Sequence, residues 1–495
     1  MNNVYYFVWR IVMRVNLKSL AIFVVVLFCF LNAVDLPQFY RAPFFQQSFN
    51  SAFDKYTTGL SVRYGHGNSR NAWNGHEETT PLLSAHGYMD ITNLGSYVDS
   101  PDTVIDGSGR TMTNYWGGAN YAPPTTPPLV NPIFPPDYKT NTAYGLDVKP
   151  NDGLIEYHGK FEINEWDFTL QQDILWGFFI QAYIPYRDLK INEISYKNLG
   201  RATLTGVDPS ATAVNVEIFM QQKNGTLNNV LNAMQFNNSW QDKFKKSGVG
   251  DILLSAGWHG SGDPQSPLFK RLSAEATLGV LVPTSGQKDI NKPFTLPLGT
   301  NDSTAIDGRV NAYIQVFDFI GVGAYGGGLV FFTQERNLRV KTVKNQNGWI
   351  LLEKSFGKVD YGSMWDVGAY AQLGFKGVIA KAGLSFVRQE DTVLTIHDGN
   401  LLKNFKNQQL DPPNSTPMLG PVYPEVVSVN SIVNSDQMLE GWEYYTAHFI
   451  AGYTLELKSF CPTIFVEYDY PFYGKRVFKT DMLGGTLSLQ VKLNF

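Results

Sequence analysis

Cysteine is nearly missing from this chain: Cys29 and Cys461 are the two among 495 residues. Cys29 lies in an apolar N-terminal run, so removal of that run leaves Cys461 alone. One thiol makes neither an intramolecular disulfide nor a thiolate zinc cluster. Charge is scarce too. Charged residues make up 17% of the chain, against roughly 25% in an ordinary soluble domain. The formal net charge is −4, and it becomes −7 without the first 33 residues, which hold Arg10, Arg14 and Lys18 and no acid. That balance excludes nucleic acid, which asks for a basic footprint. Beyond the N-terminus no apolar stretch reaches the 18 or so residues of a spanning helix. Catalytic signatures are missing as well: there is no HExxH, GxSxG, Walker A or Rossmann fingerprint. Of the seven histidines, His66 and His76 share a loop with Glu77 and Glu78, without the fixed spacing of a metal site. Neither a cofactor, a metal nor an enzymatic activity is expected.

What the chain does have is aromatics, at 14%, and 45 glycines. Its first residues read as an export address. A basic region is followed by the apolar run 21–31 (AIFVVVLFCFL), and Ala33 supplies a small residue at the cleavage position. These are the parts of a secretory signal peptide, here 1–33. Leu27-Phe28 before Cys29 lacks the small residue that lipidation wants.

The remaining 34–495 alternates. In TLSLQVKLNF (486–495), Leu487, Leu489, Val491, Leu493 and Phe495 share one face and Thr486, Ser488, Gln490, Lys492 and Asn494 the other, as side chains of a strand must. Segments 462–470, 445–457, 365–375 and 272–282 repeat this, each near the 9–11 residues of a tilted membrane strand. Candidate strands continue at 176–186, 157–170 and 57–65. Connections between them alternate in length. With Phe495 on the periplasmic side, 458–461, 376–378, 319–321 and 259–270 are short or medium. The outside connections 473–485, 391–443, 333–363, 284–307 and 187–249 are mostly long. Outer-membrane barrels obey that parity and soluble sheets have no reason to. The expected fold is therefore all-β: a transmembrane antiparallel β-barrel of about 12 strands, or 14 if 84–92 adds a hairpin, with short periplasmic turns and long extracellular loops. Segment 66–156, rich in Gly, Pro, Asn and Ser, is a long loop or a plug-like insertion. The strand 486–495, ending on an aromatic, is the C-terminal β-signal, with Leu493 and Phe495 on its lipid face.

Three short stretches then stand out: GVGD (248–251), VLVPTSG (280–286) and LPLGTND (296–302), preceded by AYIPY (182–186). Their order resembles the outer-membrane family associated with the meta-pathway of phenol degradation, itself akin to FadL-type channels for hydrophobic compounds. The resemblance covers about 155–495. Residue by residue, Gly248 and Gly250 permit tight backbone, Asp251 is placed to bond loop amides, Pro283 ends a strand, and Gly286 and Gly299 suit turns. No counterpart of the FadL-type N-terminal hatch is evident.

The alternation also assigns a lumen face: Glu275, Tyr313, Gln315, Tyr325, Asp366, Tyr370, Gln372, His448, Glu456, Glu467 and Asp469, with Gln490 and Lys492, and with Arg271 and Arg309 near strand ends. Charge pairs could hold such an interior together, or the aromatics could line a path for an apolar solute. His448 has no serine partner at a fixed spacing. The resemblance implies passive uptake of a small hydrophobic or aromatic solute across the outer membrane of a Gram-negative cell. The partners expected are outer-membrane lipid, the barrel-assembly machinery and that solute. A non-transporting surface or envelope-contact protein is the alternative, and an outer-membrane lipid hydrolase the third.

Overall fold

The computed structural model describes residues 57–87, 89–90, 154–199, 243–264, 269–340, 348–351, 353–397, 433–434, 436–457 and 459–492. The expected signal peptide, the bulk of the 66–156 segment, and Leu493 and Phe495 lie outside the described residues. So does most of the 187–249 and 391–443 connections.

Twelve antiparallel strands close into a barrel. In chain order they are β1 (Thr57–Ser69), β2 (Leu154–Asp173), β3 (Phe178–Asn198), β4 (Phe244–Val249 continuing as Ile252–Gly262), β5 (Arg271–Val282) and β6 (Ala305–Phe317). The second half holds β7 (Ile320–Phe331), β8 (Met364–Phe375), β9 (Val378–Gln389), β10 (Glu443–Thr454), β11 (Phe460–Lys475) and β12 (Asp481–Lys492). Each strand pairs with its sequence neighbours, and β1 pairs with both β2 and β12 to close the ring. Closure leaves no unpaired strand edge, which lipid would not tolerate. Among the described residues the 84–92 segment adds no barrel hairpin. Met89–Asp90 pairs for two residues with the tip of β2, which settles the count at twelve.

The ends of the barrel differ. At the inner end the connections are Ile174–Gly177, 263–270, Asp318–Phe319, Lys376–Gly377 and 455–459. Lys376 (φ 49°) and Gly377 (φ 84°) both take the left-handed conformation, which matches a two-residue turn to the strand twist. All the long connections lie at the outer end. There, Gln334–Val340, Glu353–Tyr361 and Thr392–Ile396 form one small sheet, and Asn71–Trp73, Thr79–Pro81 and Val477–Phe478 another. β1 runs to Ser69 and β2 starts at Leu154, so the first connection is 70–153 rather than 66–156.

The outer wall shows why the sequence alternates. Leu254, Leu278, Leu384 and Leu487 each keep between 51% and 61% of their surface bare on its face. At roughly 25 cal/mol per Å2, such a wall is tolerable only against an apolar medium. The apolar band has edges. Outward positions on β2 are Trp166, Phe168 and Leu170, then Asn164, Glu162 and Lys160 further out. On β3 they are Phe178, Ile180, Ile184 and Tyr186, then Asp188 and Lys190. Rings mark both borders: Tyr64 against Trp166 at 4.8 Å toward the outer end, and Phe317 against Phe319 at 6.2 Å at the inner turns. Paired aromatic girdles of this kind are a membrane-barrel feature. β2 and β3 have 20 and 21 residues, about twice a membrane strand. Their outer halves therefore stand clear of the band as a polar hairpin.

Candidate functional site in the barrel lumen

Alternation places every second side chain inside, and the inside is layered. Outermost is an apolar cap. Leu253, Leu281, Leu329, Met364 and Val387 at the strand ends pack with Leu338, Val359, Leu394 and Trp442 from the outer connections. A small pocket of about 80 Å3 sits in this cap, lined among others by Phe294, Leu338, Trp349, Val433 and Met438.

The motif residues anchor the cap. β4 is broken at Gly250–Asp251, where Gly250 donates to the carbonyl of Pro185 at 2.8 Å. Proline has no N–H for the ladder, so the bulge falls where one strand cannot pair regularly. The Asp251 carboxylate accepts from the Ser285 amide at 3.0 Å, from the Thr300 hydroxyl at 2.5 Å and from the Thr300 amide. Gly299 lies so close to that carboxylate that a Cβ would collide with it. Gly286 is left-handed (φ 66°), and Pro283 follows the last residue of β5. Gly248 lies at the outer end of β4. Together these residues pin 283–304 over the barrel mouth.

Below the cap lies a layer of ion pairs. Arg63 on β1 donates to Glu467 on β11 and to Asp167 on β2 (2.8 Å). Tyr183 donates to the other oxygen of Asp167 at 2.7 Å. Arg187 on β3 donates to Glu165 at 2.7 Å and to the Leu298 carbonyl at 2.6 Å, which joins this layer to the cap. On the far wall Arg309 donates to Asp307 at 2.7 Å and lies 3.6 Å from Asp366. Arg309 is well inside β6 rather than at its end. Charges withdrawn from water hold only when paired, and the register supplies the pairs: Arg63 is opposite both Asp167 and Thr486.

The inner half of the lumen is open. A cavity of about 360 Å3 runs from the turns around Phe375–Val378 up to Glu467 and Thr486, with Lys381, Ile450, Cys461, Thr463 and Gln490 on its walls. Beside it Glu275, Asn311, Tyr313, Tyr370 and Gln372 surround a smaller space of about 40 Å3. Tyr313 and Tyr370 stack at 6.3 Å, and their rings lie over Gly321 and Gly323, which leave them room. Gln315 sits at the inner mouth and donates to the Asp318 carbonyl at 3.0 Å. Glu456 lies past the end of β10, in the 455–459 turn, exposed at the cavity mouth rather than on a strand. The side chain of Lys492 is outside the described residues.

Tyr325, His448 and Asp469 meet on the β7–β11 wall, and the structure adds a residue the sequence did not single out. Ser385 on β9 lies 2.7 Å from His448 Nε2, while His448 Nδ1 lies 2.7 Å from Asp469 Oδ1. An ionised carboxylate only accepts, so Nδ1 donates to it and Nε2 accepts from the serine. Tyr325 hydrogen-bonds Ser385 from the other side. No sequence spacing announces this serine, which is 63 residues from its histidine. The strand register brings them together. Arg63, Arg187, Glu165 and Asp167 were equally overlooked, although each occupies an inward position of an alternating strand.

No protein-family model and no curated protein matches the sequence. Solved structures with a similar architecture include an outer membrane channel from Pseudomonas putida F1, at 9% identity and TM-score 0.43, covering 91% of this chain and 99% of that one. The Pseudomonas putida toluene transporter TodX is similar at 7% identity and TM-score 0.34, over 89% and 90% of the two chains. A Pseudomonas aeruginosa FadL homologue follows at 8% identity and TM-score 0.29, over 89% and 91%.

Proposed function

We propose that this chain is an outer-membrane channel for passive uptake of small hydrophobic or aromatic solutes, exported by its N-terminal signal peptide. The observation that carries this reading is the unfilled inner lumen. About eight strands make a barrel that side chains fill and about sixteen an open channel; this barrel of twelve keeps a 360 Å3 cavity, continuous with the inner mouth. Packing alone gives no reason for such a void. The apolar character of the solute rests on the other end, where the pocket in the cap is walled by Phe294, Leu338, Trp349 and Met438. Ligand sites combine apolar walls with a few polar groups in this way.

Between pocket and cavity stands the Arg63–Glu467 layer, so passage requires these pairs or the cap above them to shift. That closure also favours a second reading, a plugged surface protein without transport. Single-channel recording in planar bilayers separates the two. Discrete conductance steps that shrink on adding toluene or phenol support the channel. A folded, heat-modifiable barrel that stays silent, and whose vesicles take up neither solute, rules it out.

A further inference from the structure

Passive passage makes no use of the hydrogen-bonded series Asp469, His448, Ser385. We infer that Ser385 is a nucleophile activated by His448 and Asp469, and that this site cleaves small uncharged carboxylic esters that reach the lumen.

The order of contacts is the first ground. The carboxylate meets Nδ1 at 2.7 Å and the hydroxyl meets Nε2 at 2.7 Å. This is the arrangement in which imidazole can take the proton of an attacking hydroxyl while the carboxylate fixes the tautomer. It is held by register on three consecutive strands. His448 is directly opposite Asp469 on β11 and opposite Gly383 on β9. From that position the ring leans along β9 toward Ser385.

Access is the second ground. Ser385, His448 and Asp469 keep 8–9% of their surface free, whereas the ion-paired Asp167, Asp307 and Asp366 keep 0–1%. Ile450 and Glu467, the next lumen-facing residues on β10 and β11, line the 360 Å3 cavity. One lumen step on a strand is about 7 Å, so the site lies just outward of the cavity, past Glu467, and an ester from the cavity reaches the hydroxyl when the Arg63–Glu467 pair shifts. Glu467 and Asp469 on this wall disfavour anionic esters. The third ground is Tyr325, whose hydroxyl already reaches Ser385 and can donate to the oxyanion as it forms.

The step balances. Ser385 Oγ adds to the carbonyl carbon and its proton passes to His448 Nε2. The ester C–O bond then breaks, and the leaving alkoxide takes that proton as it departs as alcohol. Water repeats the sequence on the acyl-serine, releasing the carboxylic acid and restoring the hydroxyl. A conducting barrel and a closed one contain this site equally, so its fate and that of the channel reading are separate.

The test uses the full chain folded in detergent micelles, with folding checked by heat-modifiable migration. The protein is treated with a small alkyl fluorophosphonate and, separately, with p-nitrophenyl acetate. The expected result is a phosphonyl adduct mapped to Ser385 by tandem mass spectrometry. Ester turnover should fall roughly 1,000-fold or more in Ser385→Ala and His448→Gln. Asp469→Asn should lower kcat with little change in KM, because it spoils the tautomer and not the pocket. Should Ser385→Ala fail to fold, Ser385→Cys replaces it, and the adduct must then pass from fluorophosphonate to iodoacetamide at that position. An adduct absent from Ser385, or turnover unchanged in a folded Ser385→Ala, overturns the proposal.

Discussion

The two halves of the lumen are built on opposite rules. Toward the outer end many inward residues are long and charged, and five acids meet an arginine: Asp167 and Glu467 at Arg63, Glu165 at Arg187, Asp307 and Asp366 at Arg309. Toward the inner end charge is sparser, and small residues such as Thr463, Thr486 and Gly374 stand among longer ones such as Lys381, Ile450 and Gln490 around the cavity. Dense charge needs dense pairing, so the outer half is filled and rigid. Small polar groups can be served by water, so the inner half can stay open. The barrel thus contains a closed section and a vestibule, and the density of paired charge decides which is which.

Replacing Arg63 by Met should have the largest effect on that contrast. It leaves Asp167 and Glu467 buried without their cation, and removing one partner of a buried pair costs about 3–5 kcal/mol. Urea unfolding of the barrel in lipid vesicles should show that loss, with raised single-channel conductance where the barrel survives. Next comes Asp251→Ala, which strips the cap of its bonds to Ser285 and Thr300. Hydrogen bonds to charged groups are worth about 1.5–3 kcal/mol, and the loosened 283–304 connection should be nicked by protease much faster than in the unaltered protein. The smallest change in stability, within about 1 kcal/mol, is expected for Thr463→Trp, because the indole enters existing space instead of displacing packed atoms. Its conductance should nevertheless fall several-fold. If Thr463→Trp unfolds the barrel as readily as Arg63→Met, the inner half is packed and the contrast disappears.

The barrel itself was open to reading in the sequence because period two marks the strands and because most connections alternate in length, the outer 476–480 being a short exception where 473–485 was expected. The lipid band was legible down to single residues, as at Leu487, Leu489 and Val491, which all face outward. Strand ends were less so. β2 and β3 continue well past the apolar band, and once outside it their outward face turns polar, at Asn164 and Asp188, so the alternation that marks a membrane strand stops while the hydrogen bonding does not. Site residues divide the same way. Facing direction follows from parity alone, which is how His448, Asp469, Glu467 and Tyr370 could be placed inward. Partnership depends on register between distant strands. Ser385 reaching His448, and Arg63 reaching Asp167 on β2 and, past β12, Glu467 on β11, are set by pairings that no local pattern encodes.

The pairing of β1 with β12 also has a meaning for assembly. Thr57–Asn68 face Asp481–Lys492 residue for residue, so the first strand waits for the last. Arg63 and Glu467 are separated by 404 residues, and joining ends that far apart costs about 5 kcal/mol of chain entropy on the logarithmic loop estimate. Until that seam forms, β1 and β12 both carry an open edge, and Glu467 must manage without its arginine. The barrel therefore has a built-in check on completeness. A chain truncated within β12 lacks a strand and also leaves the lumen unneutralised, so an unfinished copy is marked for rejection on both faces of its wall.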